Sequence, residues 1–325
     1  MGAAACRQTG CESACATVCT TEDLKYVEEL CSMPLDEYIG AVERRSDVRP
    51  WPQQRPACAE VSSGRPEANL ETDLEELRRG QFAPPQPEGT CASVTLRSGS
   101  VYSGQWKGHC RHGFGYQTWR DGASYSGQWL ENVAVGMGVY NFPDGSVYVG
   151  EWQHNRFHGL GAYYGSSKTT VFRGEWQGGF RQGYGVEEGS TSVGATFRGT
   201  FNRGLKEGSG ICSWSDGGEY AGQWKGNHII GSGTYVCKDV RRRYKGQWLD
   251  SQKDGVGHYE WPDGRAYRGQ YYKDQASGFG AFSWPDGQRY EGHWNYGKQH
   301  GSGLYTAPGG EQRELTWIDG RPKDD

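Results

Sequence analysis

Tyr244-Lys-Gly246-Gln-Trp248, then Gly255-Val-Gly257-His-Tyr259, then Trp261-Pro-Asp-Gly264 is the stretch on which the reading of the chain turns. In its first part Tyr244, Gly246 and Trp248 occupy alternate positions, which puts their side chains on one face of an extended strand. Gly255, Gly257, Tyr259 and Trp261 do the same on a second strand. Pro-Asp-Gly closes the pattern as a turn, because Pro presets φ and Gly accepts a positive φ. Two period-2 segments bounded by turns make a β-hairpin.

The hairpin repeats. Units begin at Tyr102, Tyr125, Tyr148, Phe172, Phe197, Tyr220, Tyr244, Tyr267 and Tyr290, at intervals of 23 to 25 residues. A Gly-x-Gly pair recurs in them, as at Gly113/Gly115, Gly136/Gly138 and Gly278/Gly280, and a tenth start at Arg313 keeps only Trp317. Glycine weakens a strand unless something lies close against its backbone. Aromatic rings of adjacent strands are therefore expected to cover the glycines, and a Gly→Val change to collide with a ring. His112, His158 and His300 precede Gly-x-Gly pairs, a recurrent place that reads as structural rather than catalytic.

Composition agrees with a β-rich array. The 325 residues include 52 Gly, 13 Trp and 20 Tyr but only 34% hydrophobic residues, too few for the apolar strands and helices of a layered α/β enzyme. No run approaches the roughly 18–20 apolar residues of a membrane-spanning helix, and a net charge of −4 speaks against a nucleic-acid binder. Residues 1–95 carry a net charge of −7 and hold six of the glycines, whereas residues 96–325 carry +3 and the other 46. The chain thus joins two materials.

Tyr-x-Gly-x-Trp, Gly-x-Gly and Pro-Asp-Gly at a 23-residue period resemble the MORN repeat (membrane occupation and recognition nexus) over all nine units. The resemblance implies a groove-shaped single antiparallel sheet used as a scaffold, as in junctophilins, ciliary radial-spoke heads and protist cytoskeletal scaffolds. The same repeats also form the leader of plant phosphatidylinositol-phosphate kinases. The expected fold is mainly β: an elongated, twisted single antiparallel sheet of consecutive hairpins with a small helical or disordered N-terminal segment. The expected domains are a Cys-rich terminus (1–20), a helical hairpin (21–46), a linker with a short acidic helix at Leu70–Leu77 (47–92), the repeat array (93–312) and a degenerate capping repeat (313–325).

The terminus Met1-Gly2-Ala3-Ala4-Ala5-Cys6 is close to an N-myristoylation signal on Gly2, with Cys6 as a palmitoylation candidate, and a stable anchor needs two such signals. Cys11, Cys15 and Cys19 lack the second pair that a zinc site requires. No Walker, Gly-x-Ser-x-Gly or His-Glu-x-x-His motif is present, so no catalysis, cofactor or metal is expected.

The expected function is a non-enzymatic scaffold whose groove holds protein partners against Tyr125, Trp129, Tyr148, Trp152, Tyr220 and Trp224. The alternative is a phosphoinositide- or anionic-lipid-binding protein, or a regulatory relative of a phosphatidylinositol-phosphate kinase. It would work through the basic run Lys238, Arg241, Arg242, Arg243 and Lys245. The trailing edge is a candidate for homodimerisation. The expected location is the cytoplasm, at the plasma membrane periphery or on cytoskeleton or cilium.

Overall fold

The computed structural model describes residues 66–78, 86–167, 169–189, 194–237 and 241–323. The acylation candidates Gly2 and Cys6, the helical hairpin expected over 21–46 and Lys238 lie outside the described residues. The described chain is mainly β, with twenty-one strands and one helix, α1 (Pro66–Arg78). It forms two compact units, Met1–Phe180 and Arg181–Asp325.

In the first unit the strand Gln86–Thr95 pairs with Val101–Gly108, and antiparallel hairpins follow in chain order to Val171–Gln177. The sheet therefore begins inside the segment read as linker, and the acidic helix starts at Pro66, ahead of Leu70. In the second unit the same order runs from Phe180–Glu188 to Gln312–Ile318 and Arg321–Pro322, so the degenerate last repeat is itself a hairpin.

Local chemistry makes each hairpin. After the Trp the chain reverses through two residues of positive φ, as at Glu131 (49°) and Asn132 (71°), the mirror-image turn whose twist suits paired strands. The second of these residues also staples successive hairpins. Asn132 donates its N–H to Arg111 O at 3.0 Å, and its Oδ1 accepts the Arg111 N–H at 2.7 Å. Asn155 repeats the exchange with Ala134, and Asn227 with Lys206. The Pro-Asp-Gly turn closes with Gly145 donating to Phe142 O at 3.0 Å, while Asp144 Oδ1 accepts the Ser146 N–H at 2.9 Å.

A bulge interrupts the hairpin between Gly127 and Gln128, where Gly136 takes φ +60°. The neighbouring Met137 N–H would be left without a ladder partner, and Gln128 Oε1 accepts it at 3.1 Å. Gln247 and Gln270 serve Val256 and Phe279 in the same way, both at 2.7 Å. The residue after the central Gly of Tyr-x-Gly-x-Trp is thus a backbone ligand, a role that sequence reading missed although Gln or Glu recurs there.

The rings do cover the glycines. Tyr125 lies over Gly127 of its own strand and Gly138 of the partner strand, which face each other in the ladder. Its hydroxyl donates to Gln128 O at 3.1 Å, and Tyr148, Tyr244, Tyr267 and Tyr290 make the equivalent bond at 2.9 Å.

Candidate interaction surface

The first row of aromatics is an interior spine. From Trp129 on, a unit's Trp stands edge-on to its own Tyr or Phe and to that of the preceding unit: Trp152 is 5.6 Å from Tyr148 and 4.8 Å from Tyr125. Trp248 lies 5.1 Å from Tyr244 and 5.4 Å from Tyr220. Edge-to-face pairs of this kind add stabilisation beyond the area they bury. Each indole N–H reaches back as well: Trp129 donates to Gly115 O at 3.3 Å, Trp152 to Gly138 O at 3.2 Å and Trp224 to Gly210 O at 3.3 Å. Tyr125, Trp129, Tyr148, Trp152, Tyr220 and Trp224 are consequently 0–6% exposed. The expectation that these six present their rings to a peptide is corrected: they are spent on one another and on the glycines. Burial also pushes the Tyr220 phenol up to about 12, so it stays a neutral donor.

A second row lies on the same face, on the returning strand of each hairpin. In the first unit this row is buried, with Trp119 8%, Tyr140 1% and Phe142 4% exposed. Part of the cover is α1, which buries Leu70 and Leu77 with Asp73 between them, one face of a helix at i, i+3 and i+7. Asp73 accepts from Ser98 and Ser100 hydroxyls at 2.9 Å, from Trp119 Nε1 at 2.6 Å and from the Gln117 amide. Gln117 in turn accepts from the buried Arg111, whose guanidinium stacks 4.1 Å from the centre of the Trp129 ring. Burial lowers the Arg111 pKa to about 10 against the opposing pull of Asp73. Asn69 adds bonds to Asp121 (2.8 Å) and to the Tyr140 hydroxyl (3.4 Å).

In the second unit the corresponding row is only half buried: Trp214, Tyr235, Tyr259, Trp261, Phe282, Trp284 and Tyr305 all keep part of their surface. A hollow of about 500 Å³ opens beside Trp214 and Tyr235, with Lys206 and Lys253 in its wall. Lys206 is held by Glu187 at 3.0 Å, and Glu187 also takes Arg181. Burial alone would raise the Glu187 carboxyl, but Arg181 and Lys206 together outweigh it and hold it below its ordinary 4.5. The stabilisation from this carboxylate is complete above the unfolded value and is lost as pH falls through the lower folded one. The urea midpoint of Glu187→Gln should therefore lie below wild type at neutral pH, and the two should converge as the medium becomes strongly acidic.

The basic run does not form one patch. Arg241 sits in the turn with φ 50°, Arg242 begins the strand Arg242–Leu249, and Arg243 and Lys245 alternate to its other face. Lys245 lines a groove of about 710 Å³ with Arg268, His258, Thr234 and Val256. Among the described residues no group of three or more His, Cys, Asp or Glu is placed to hold a metal ion, and no helix is long and apolar enough to cross a membrane.

Hairpins of constant period, glycines roofed by tyrosine and a tryptophan leaning on the unit before it define a protein of the β-hairpin repeat class. The family model described as MORN repeat matches nine consecutive segments, 102–124, 125–147, 148–170, 172–192, 197–219, 220–239, 244–264, 267–289 and 290–312. Together these matches span more than half of the chain, which belongs to the MORN-repeat family. No curated protein matches the chain in sequence. Among solved structures, a mutant of the TCP10 domain of Danio rerio CPAP is 9% identical, covering 70% of this chain and 99% of its own at a TM-score of 0.23. A microcephaly protein CPAP G-box domain is 11% identical, with 70% and 100% coverage and a TM-score of 0.24. The SAS-4 (dCPAP) TCP domain of Drosophila melanogaster, solved with a proline-rich motif of Ana2, is 9% identical, with 82% and 99% coverage and a TM-score of 0.17.

Proposed function

We propose that the protein is a non-enzymatic scaffold that gathers protein partners on the faces of its repeat sheet and is tethered to a membrane through acylation of Gly2 and Cys6. The observation that carries the scaffold reading is the half-exposed second row of aromatics in the second unit, from Trp214 to Tyr305. Large rigid rings give contact area at little conformational cost, and an inner spine of other rings already supplies the core. The lipid alternative is weaker, because Arg242 points away from Arg243 and Lys245.

The test is made with the intact protein in eukaryotic cells, beside Gly2→Ala and a deletion of residues 244–289, two whole repeats. The N-terminal peptide is expected to carry a myristoyl mass on Gly2, and Gly2→Ala to leave the membrane fraction. Cross-linking mass spectrometry should place a partner on the second unit, and the deletion should abolish those cross-links. An unmodified Gly2 removes the tether, and cross-links unchanged by the deletion remove the scaffold surface.

A further inference from the structure

The docking of α1 supplies a template that the second unit repeats with no helix among its described residues. Ser100 and Trp119 stand one step beyond the last ladder pair of their hairpin, Val101 with Thr118, and both donate to Asp73. The same step beyond the pair Arg243–Glu260 brings Arg242 opposite Trp261, and beyond Ala266–Ser283 it brings Arg265 opposite Trp284. A serine hydroxyl has become a guanidinium at both places. Arg242 is exposed, and Arg265 lies 5.8 Å from the centre of the Trp261 ring while paired with Asp263 at 2.7 Å.

The floor between these seats is continuous and apolar. Tyr259 and Trp261 are 4.5 Å apart, Trp261 and Phe282 5.4 Å, and Phe282 and Trp284 4.5 Å, all half buried. Trp119 donates its N–H to Asp73, whereas the N–H groups of Trp261 and Trp284 meet no acceptor among the described residues. An indole N–H that a partner covers favours an acceptor, and an arginine beside it favours a charged one. The helix that fits the template is acidic: α1 carries Glu67, Glu71, Asp73, Glu75 and Glu76 against Arg78.

We infer that the strip from Tyr259 to Trp284 is the seat of an acidic amphipathic helix from a partner protein. A carboxylate flanked by leucines enters between Trp284 and Arg265 or between Trp261 and Arg242, as Asp73 does between Trp119 and Ser100. This rests on the scaffold reading and narrows it to one partner chemistry and one place.

The probe is a fluorescein-labelled peptide of residues 66–78, titrated with the full chain and read by anisotropy. Saturable binding is expected. It should weaken at least tenfold for the protein variant Arg242→Ala/Arg265→Ala, whose altered side chains project from the sheet and leave the core alone. The peptide with Asp73→Asn should be equally weak on wild type and no weaker still on the arginine variant. Trp261→Phe/Trp284→Phe keeps the rings but removes both N–H donors, and it should also lose affinity. Absence of saturable binding, or binding undiminished in Arg242→Ala/Arg265→Ala, overturns the seat. A dimer in sedimentation velocity that dissociates in the arginine variant assigns the seat to a second copy and overturns the partner-protein assignment. A cellular partner that cross-links equally to wild type and to the arginine variant keeps the scaffold reading and removes this site alone.

Discussion

Gly138→Val is expected to destabilise the first unit by about 2–3 kcal/mol. A Cβ at this position would stand 2.6 Å from Tyr125 Cε2 and from its hydroxyl oxygen. Val favours strands over Gly by up to about 1 kcal/mol, but the ring cannot retreat to accept it. Tyr125 is fixed by its own hydrogen bond and by Trp129 and Trp152 on either side. Overpacking against a ring held on three sides therefore outweighs propensity. Urea denaturation, with hydrogen exchange to locate the loss, checks this against Gly309→Ala. No atom lies within 4 Å of a Cβ at that control site and its φ is ordinary, so its stability should stay within about 0.5 kcal/mol of wild type.

Asp73→Ala should cost on the order of 3 kcal/mol and release α1 from the sheet. The side chain is fully buried and accepts from four donors on two successive hairpin turns. Its removal strands those donors and also takes away the nearest counter-charge of Arg111, which is itself without solvent contact. Two readouts separate this from a general loss of fold. Amide protection should vanish in residues 66–78 while the strands from Tyr125 onward keep theirs, and the fluorescence of the newly exposed Trp119 should shift to the red. Asp73→Asn retains the shape and part of the acceptor capacity, so it should fall between wild type and Ala.

The hairpins, their starts and the shared face of Tyr, Gly and Trp were legible because a period of two states which side chains face the same way. Depth was not legible. Tyr148 is buried by Trp176 from the following unit, at 5.2 Å and 28 residues along the chain. A strand pattern read alone says nothing of such a neighbour. The rings chosen as contacts were therefore the spine, while Trp261 and Trp284, seen only as turn partners, carry the open surface. The anchoring of α1 was equally out of reach, since the partners of Asp73 are 25 to 46 residues away. The helix itself could be read from its own sequence.

The backward lean of the tryptophans gives the array an assembly direction. From Trp106 to Trp294 each spine indole closes on a carbonyl and a tyrosine made earlier in synthesis, and Trp106 finds its own carbonyl, Ala92 O at 3.2 Å, on the leading strand Gln86–Thr95. A chain leaving the ribosome amino end first thus offers every new hairpin a finished berth. No hairpin has to wait for a later one to bond its indole. The leading strand acts as a keel laid before the first plank. Tyr290, the last tyrosine of the series, is shut by Trp317 at 5.2 Å, so the worn final repeat keeps the one residue that the repeat before it still requires.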